Sequence, residues 1–170
     1  MSQQNIESIR RELAKSKPTT AGDEGEKFAR NWMTCNNWRF ECVDQSKNNI
    51  SSDLRALNGK RPDFILEPLA NGDIIFIDAK YHSTKNEKFA LKEYELLQYD
   101  SLIKYVKTIA GHVNVDLLFM LFPKENSGKR LIFVSLDEML CAKSVSRDWG
   151  GAREFDLSQR IAEKKLCFDI

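Results

Sequence analysis

The sequence is poor in the residues that build zinc sites and disulfide frameworks. Its four cysteines include no CxxC pair, and its two histidines, His82 and His112, lie thirty residues apart with no cysteine close to either. Ligands of a structural zinc ion come at short, regular spacings, so such a site is not expected.

The chain also lacks an excess of charge and a long apolar run. Lysine and arginine number 26 and aspartate and glutamate 25, which gives a net charge of +1. Any surface that binds a polyanion must therefore concentrate its positive charge locally. No apolar run approaches the length that spans a bilayer, and the first residues, as far as Lys17, are polar and charged. These features favour a reduced, cytoplasmic protein without a signal peptide.

What is present suits one globular domain with short appendages. A chain of 170 residues that is 42% hydrophobic is long enough to bury a core. Residues 1–20 are predicted to form an N-terminal extension, with a helix over residues 5–16, and residues 21–140 to form the core. Residues 141–170 are predicted to add a loop and then a closing helix, over residues 157–166, that pack on the core.

Periodicity assigns the elements of this core. A capping-box spacing from Thr20 to Asp23 opens a helix that runs to about Cys35. A second helix is predicted over residues 87–109, where apolar residues recur at helical spacing. Its stripe comprises Leu91, Tyr94, Gln98, Leu102, Tyr105 and Ile109. The other segments are predicted as strand 38–43, loop 44–60 with a short helix over 53–57, strands 63–66, 74–77, 113–122 and 130–136, and loop 144–154.

Two of these strands form a hairpin that brings charged residues together. They are separated by a turn containing Asn71-Gly72, and Asp63 and Asp78 are equidistant from the centre of the connection. If the strands pair about that centre, Asp63 lies opposite Asp78, with the two Cβ atoms about 5 Å apart. Lys80 lies two residues beyond Asp78 and therefore points to the same face.

Two carboxylates this close repel each other, and burial makes the repulsion costlier, so a compensating positive charge is expected. Lys80 supplies one, and a divalent cation would supply more. Oxygen ligands with no soft ligand nearby suit Mg²⁺ or Mn²⁺ rather than zinc. Held by Asp63 and Asp78, such an ion would polarise a phosphate and lower the pKa of a bound water, while Lys80 would orient or deprotonate that water. The residues themselves thus indicate phosphoryl chemistry.

The sequence Arg61-Pro62-Asp63, followed after fourteen residues by Asp78-Ala79-Lys80, resembles the PD-(D/E)XK motif of the restriction-endonuclease-like nucleases. The order of elements over about residues 23–136 is also similar to the αβββαβ core of that superfamily, with the motif on its second and third strands. The resemblance implies an α/β fold with a mixed central sheet flanked by helices. It also implies a Mg²⁺-dependent endonuclease that hydrolyses DNA phosphodiester bonds.

Further site residues are implied by the same resemblance. Many members carry an acidic residue on the first core helix that completes the metal site; Glu26 is the best match, with Glu24 as the alternative. Some members also place a glutamine and a tyrosine on the helix after the motif. Gln98 matches the glutamine, whereas Tyr105 follows at a greater distance than is usual in those relatives.

Several interpretations stay open at this point. The first is a metal-dependent nuclease that acts on DNA, with RNA left open as a substrate; cutting both strands requires two sites, so a homodimer is expected. The second is a non-catalytic nucleic-acid-binding or adaptor module that retains the nuclease fold. The third, a chance match in an unrelated α/β protein, predicts that Asp63 and Asp78 lie far apart or on opposite sheet faces. The lysines from Lys80 to Lys92 either contact phosphate or are merely solvated, and Trp149 either stacks on a base or a partner or anchors its loop.

Overall fold

A computed structural model describes Ile9 and residues 24–43, 51–67, 70–111 and 113–170. The helices and strands of these residues are, in chain order, α1 (Glu24–Cys35), β1 (Phe40–Cys42), α2 (Ser52–Ala56), β2 (Phe64–Leu66), β3 (Ile74–His82), β4 (Lys88–Lys92), α3 (Glu93–Ala110), β5 (Val115–Pro123), β6 (Arg130–Ser135), α4 (Leu136–Leu140), β7 (Lys143–Arg147), β8 (Gly150–Asp156), α5 (Ser158–Glu163) and β9 (Cys167–Asp169).

Six strands form a mixed central sheet in the order β1-β2-β3-β5-β6-β9. Strands β1, β2 and β3 are antiparallel neighbours, and β3 runs parallel to β5. Parallel neighbours need a crossover connection, which here includes helix α3. Strands β6 and β9 continue the sheet in antiparallel fashion, and β4, β8 and β7 form a second, three-stranded sheet. The predicted α/β class, with a mixed central sheet and flanking helices, is confirmed.

Helices cover both faces of the central sheet, which explains why β3 is apolar along most of its length. On one face, Met33 of α1 belongs to the same buried cluster as Ile77 of β3. On the other, Leu96 of α3 belongs to the same buried cluster as Phe76. Because side chains alternate along a strand, Asp78 shares the face of Phe76 and points towards α3.

Three assignments made from the sequence are wrong. The helix predicted over residues 87–109 begins at Glu93, because the preceding residues form strand β4, on which Phe89 and Leu91 are buried. The loop predicted over residues 144–154 is the β7–β8 hairpin, whose second strand pairs with β4 far away in sequence. The predicted closing helix is the shorter α5, and the chain after it adds β9 to the central sheet.

The other assignments agree with the structure where it describes them. Strands β1, β2, β3, β5 and β6 coincide with predicted strands, although β3 continues to His82 and β5 to Pro123. A short helix, α2, interrupts the loop before β2. The helix predicted over residues 5–16 lies outside the described residues except for Ile9, which is helical and buried. Among the helices described, none is long and apolar enough to cross a membrane.

Candidate active site

The β2–β3 hairpin has the register predicted from its sequence. Phe64 pairs with Ile77 and Ile65 with Phe76, as the sequence predicts for these residues, and the paired part of β2 begins at Phe64. The Asp63 N–H donates to the Ile77 carbonyl over 3.1 Å, so Asp63 and Phe64 both lie opposite Ile77, as in a β-bulge at the start of β2. Asp63 lies near enough to Asp78 for the charge of Asp78 to raise the pKa of the Asp63 carboxyl. A chance match predicts instead that the two aspartates, called the acidic pair below, lie far apart.

Asp78 is deeply buried, with 2% of its surface exposed. Its Oδ1 accepts a hydrogen bond from the Tyr99 hydroxyl on α3. Its Oδ2 lies 2.6 Å from Lys80 Nζ, and the two groups form a buried ion pair. An ionised carboxylate has about four lone-pair sites, so Asp78 retains capacity to coordinate a cation beside these two partners.

Lys80 lies between two carboxylates and is 9% exposed. Besides Asp78, its ammonium contacts Glu95 Oε1 on the first turn of α3, at 2.8 Å. Burial by itself would lower the pKa of Lys80, but attraction to Asp78 and then to Glu95 outweighs it and raises that pKa. Lys80 is therefore held in its charged form, in which it can donate hydrogen bonds and neutralise negative charge but cannot accept a proton.

Glu95 ties this lysine to a second one. Lys60, in the loop before β2, also donates to Glu95 Oε1. Burial would raise the pKa of the Glu95 carboxyl, but attraction to Lys80 and hydrogen bonds from Lys60 and Lys80 lower it from 4.5 to about 2. Glu95 is thus an ionised acceptor that holds both ammonium groups on the α3 side of the acidic pair.

The pKa of the Asp63 carboxyl reflects its burial among other negative charges. Burial raises the pKa of its carboxyl well above the ordinary value, and repulsion from Asp78 and from Glu26 adds to this; the Ala79 N–H and Lys80 act in the opposite direction. The Ala79 N–H donates to Asp63 Oδ2 over 2.8 Å. A further positive charge would relieve this repulsion, since an opposite charge nearby favours the ionised carboxylate.

Helix α1 carries Glu26 to this end of the sheet because its first turn packs directly on β3. A Cβ built on Gly25 would lie 3.2 Å from Tyr81 Cβ and 3.2 Å from Tyr81 N, so only glycine allows this approach without displacement. Glu26 is half-buried beside the contact, whereas Glu24 is exposed. The electrostatic effect of Glu26 on Asp63 favours it over Glu24 as the acid from this helix.

Gln98 and Tyr105 do not occupy the places that the resemblance gives them. The Gln98 side chain donates to Asn58 Oδ1 at 3.5 Å, and the backbone carbonyl of Gln98 accepts from the backbone N–H of Lys60. Gln98 therefore faces the loop beside the site, whereas Tyr105 lies in the apolar core. The tyrosine that reaches Asp78 is Tyr99, whose pKa is raised by burial and by the Asp78 charge. Its hydroxyl consequently stays protonated and remains a donor.

The residues present fit a hard divalent cation coordinated by few protein ligands. Among the described parts of the chain, no three histidine, cysteine, aspartate or glutamate side chains gather closely enough to form a metal-binding group. Mg²⁺, however, is commonly held by one or two carboxylates, with water and substrate phosphate completing its shell. The acidic pair supplies two carboxylates, and the repulsion that raises the pKa of Asp63 is what such a cation would relieve.

Comparison with models of known protein families and with curated protein sequences gives no match for this chain. The site must accordingly be interpreted from its own geometry. Sequence reasoning identified the strand residues of this site but missed Lys60, Glu95 and Tyr99. Glu95 and Tyr99 are four residues apart and so share a helix face, a signal that was present in the sequence.

Proposed function

We propose that this protein is a nuclease that uses Mg²⁺ or Mn²⁺ to hydrolyse phosphodiester bonds of DNA. The observation that carries the proposal is the acidic pair at the β2–β3 hairpin, where Asp78 raises the pKa of Asp63 and the Lys80 ammonium lies 2.6 Å from Asp78. The order α1, β1, β2, β3, α3 and β5, into which α2 and β4 are inserted, supports it as well, because without these two insertions it agrees with the αβββαβ core that the PD-(D/E)XK resemblance implies.

Asp63 and Asp78 would hold the cation. Glu26, on the first turn of α1, would complete its coordination either directly or through a water molecule. When bound, the cation would polarise the scissile phosphate and lower the pKa of a water molecule. Lys80, kept charged by Asp78 and Glu95, would donate to that water or to a phosphate oxygen and stabilise the negative charge that develops. It acts as an electrostatic group in this proposal: the water oxygen bonds to phosphorus as the bond to the leaving oxygen breaks, and the proton of the water passes to solvent.

Tyr99 and Glu95 would act as positioning residues. Tyr99 fixes one oxygen of Asp78, which leaves the other directed at Lys80. Glu95 holds the Lys80 ammonium from the opposite side, at 2.8 Å. Side chains fixed on a strand and a helix keep their geometry without reorganising during the reaction, which is the basis of electrostatic preorganisation.

The test is incubation of the purified full chain with supercoiled, linear and branched DNA in Mg²⁺, in Mn²⁺ and in EDTA. Wild-type protein should cleave at least one substrate only when metal is present. Lys80→Ala should lower the rate by about 100-fold or more, the usual cost of removing a group that stabilises transition-state charge. Lys107→Ala, which removes an exposed lysine from the far end of α3, is the matched control and should retain activity.

Circular dichroism and thermal unfolding would establish that both variants fold. This control is needed because Lys80→Ala removes the ammonium group that pairs with the buried Asp78 carboxylate. Cleavage that persists in EDTA, or equal rates for Lys80→Ala and wild type, would refute the proposal. Calorimetric binding of Mg²⁺ or Mn²⁺ without cleavage of any substrate would favour the alternative, a nucleic-acid-binding module that retains the fold. Sedimentation of the active protein would test the homodimer that cleavage of both strands calls for.

A further inference from the structure

A cleft of about 670 Å³ lies between the end of β3, strand β4 and the tip of the β7–β8 hairpin. Its lining includes five basic side chains and one tryptophan, namely Lys85, Lys88, Lys92, Lys124, Arg147 and Trp149. These six residues define what is called the basic cleft below. Its volume is in the range that accommodates a ligand of the size of one or two nucleotides, since small-molecule sites span roughly 300–1,000 Å³.

The basic cleft concentrates positive charge on a chain whose net charge is only +1. Arg147 and Lys88 both face Glu154, which offsets part of their charge. Within the described residues, Lys85, Lys92 and Lys124 have no carboxylate within the 4.0 Å of an ion pair. Lysines in a concave surface that have no anionic partner favour a ligand that brings its own negative charge.

Trp149 is presented at this cleft by a tight turn. Arg147 pairs with Gly150, so Asp148 and Trp149 are the two residues of the turn. Gly150 has a φ of +117°, which favours glycine and lets the chain reverse directly after the tryptophan. The Trp149 side chain is 48% exposed, and Lys92 Nζ lies 5.9 Å from the centre of its ring. An open aromatic face beside an ammonium group is the arrangement on which unpaired bases stack in single-strand-binding proteins.

The basic cleft also adjoins the candidate active site. Glu95 lines the cleft and at the same time contacts Lys80 at 2.8 Å. His82, another lining residue, lies two positions beyond Lys80 on β3 and therefore on the same face of the strand. A ligand strand held in the basic cleft would thus continue towards the acidic pair.

We propose that the basic cleft binds a single-stranded or locally unpaired DNA segment, with one base stacked on Trp149 and the flanking phosphates on Lys85, Lys92 and Lys124. This inference rests on the proposed nuclease function and narrows its substrate class. Bases inside a duplex already stack on one another, so the Trp149 ring gains a base only from a strand that is unpaired at that point. The strand would then place its adjoining phosphodiester at the acidic pair.

The test is binding in EDTA, where cleavage cannot interfere. A fluorescein-labelled single strand of about 10 nucleotides, the matched duplex, and a strand of the same length with abasic residues would be titrated with the full chain. Wild type should bind the single strand best. Trp149→Ala should weaken that binding by about 5- to 100-fold, the loss expected for one stacked base, whereas Trp149→Phe should restore most of it. Neither variant should change the binding of the abasic strand.

Salt dependence would test the lysines. The slope of log K against log salt concentration should become less steep by about 0.7 for Lys85→Ala and for Lys124→Ala, because each removes one phosphate contact to a single strand. Lys107→Ala, outside the cleft, should leave the slope unchanged. The single strand should also quench part of the tryptophan fluorescence of wild type by stacking on Trp149. This quenching should be absent in Trp149→Phe.

The outcomes separate this inference from the nuclease proposal. Equal binding of duplex and single strand, or binding that Trp149→Ala leaves unchanged, would overturn the inference even if metal-dependent cleavage is observed. Binding of an acidic peptide as tightly as of the oligonucleotide would overturn it as well. Selective binding of the single strand that depends on Trp149, in a protein that cleaves no DNA with any metal, would support the cleft assignment and refute the nuclease.

Discussion

Glu95→Gln should lower the free energy of unfolding by about 3 kcal/mol near neutral pH. Burial would raise the pKa of the Glu95 carboxyl, but Lys80 and Lys60 more than compensate, and the pKa falls from 4.5 to about 2. A difference of about 2.5 corresponds to about 3.4 kcal/mol at 1.36 kcal/mol per unit. The Glu95 side chain is 18% exposed, so screening by solvent removes only a small part of this.

The same difference fixes the pH range in which the effect should disappear. The folded-state pKa of Glu95 is depressed, so the unfolded chain binds that proton more readily and stability rises with pH between the two values. The contribution is fully present above 4.5 and is lost as the pH falls through about 2. Glutamine does not titrate, so the difference between wild type and Glu95→Gln should shrink over this range.

Urea unfolding followed by circular dichroism at several pH values from about 7 to about 3 would measure both quantities. Glu93→Gln is the matched control, because Glu93 lies on the same turn of α3 and pairs with Arg153 at 2.8 Å. Those two side chains are 38% and 29% exposed, and exposed pairs contribute about 1 kcal/mol or less. The reasoning fails if the two variants lose equal stability at neutral pH, or if the loss for Glu95→Gln is as large near pH 3 as near pH 7.

Three other substitutions test neighbouring contacts. Asp63→Asn should make the metal-free protein more stable at neutral pH. The pKa of Asp63 is raised in the folded protein, so protonation of Asp63 stabilises the fold below the ordinary pKa of 3.8, and this stabilisation is lost as the pH rises through the raised pKa. Thermal unfolding in EDTA should show the gain at pH 7 and its absence in acid. Tyr99→Phe should cost about 1.5–3 kcal/mol in urea unfolding, since it removes a hydrogen bond to the buried Asp78 charge; an unchanged midpoint would contradict that bond. Gly25→Leu should cost about 1–3 kcal/mol by forcing α1 away from Tyr81, and wild-type stability would show that the close approach is not required.

The strand half of the site could be predicted from the sequence because its geometry is local. One short connection brings Asp63, just before β2, close to Asp78 on β3, and strand alternation puts Lys80 on the same side as Asp78. Both rules depend only on spacing along the chain. The register is confirmed for this reason, whereas the roles of the three residues remain proposals.

The second sheet could not be predicted, because its strands are stabilised by pairing rather than by their own composition. Strand β8 begins with Gly150 and Gly151, and few of its side chains are buried. It is a strand because β4 and β7 supply hydrogen-bonding partners on its two sides. Strand propensity mostly reflects such context, so a polar, glycine-containing segment is indistinguishable from a loop until its neighbours are known.

The error in β4 then propagated to the helix half of the site. Starting the helical pattern at Leu91 placed Tyr94 and Gln98 on the inward face, but Leu91 belongs to a strand and cannot set the phase of α3. The helix begins at Glu93, and its inward face runs through Leu96, Tyr99 and Val106. A helix turns by about 100° per residue, so counting the helical pattern from a residue outside the helix rotates the predicted inward face about the helix axis. That rotation is why Gln98 was predicted at the site while Tyr99, the next residue, is the one that reaches Asp78.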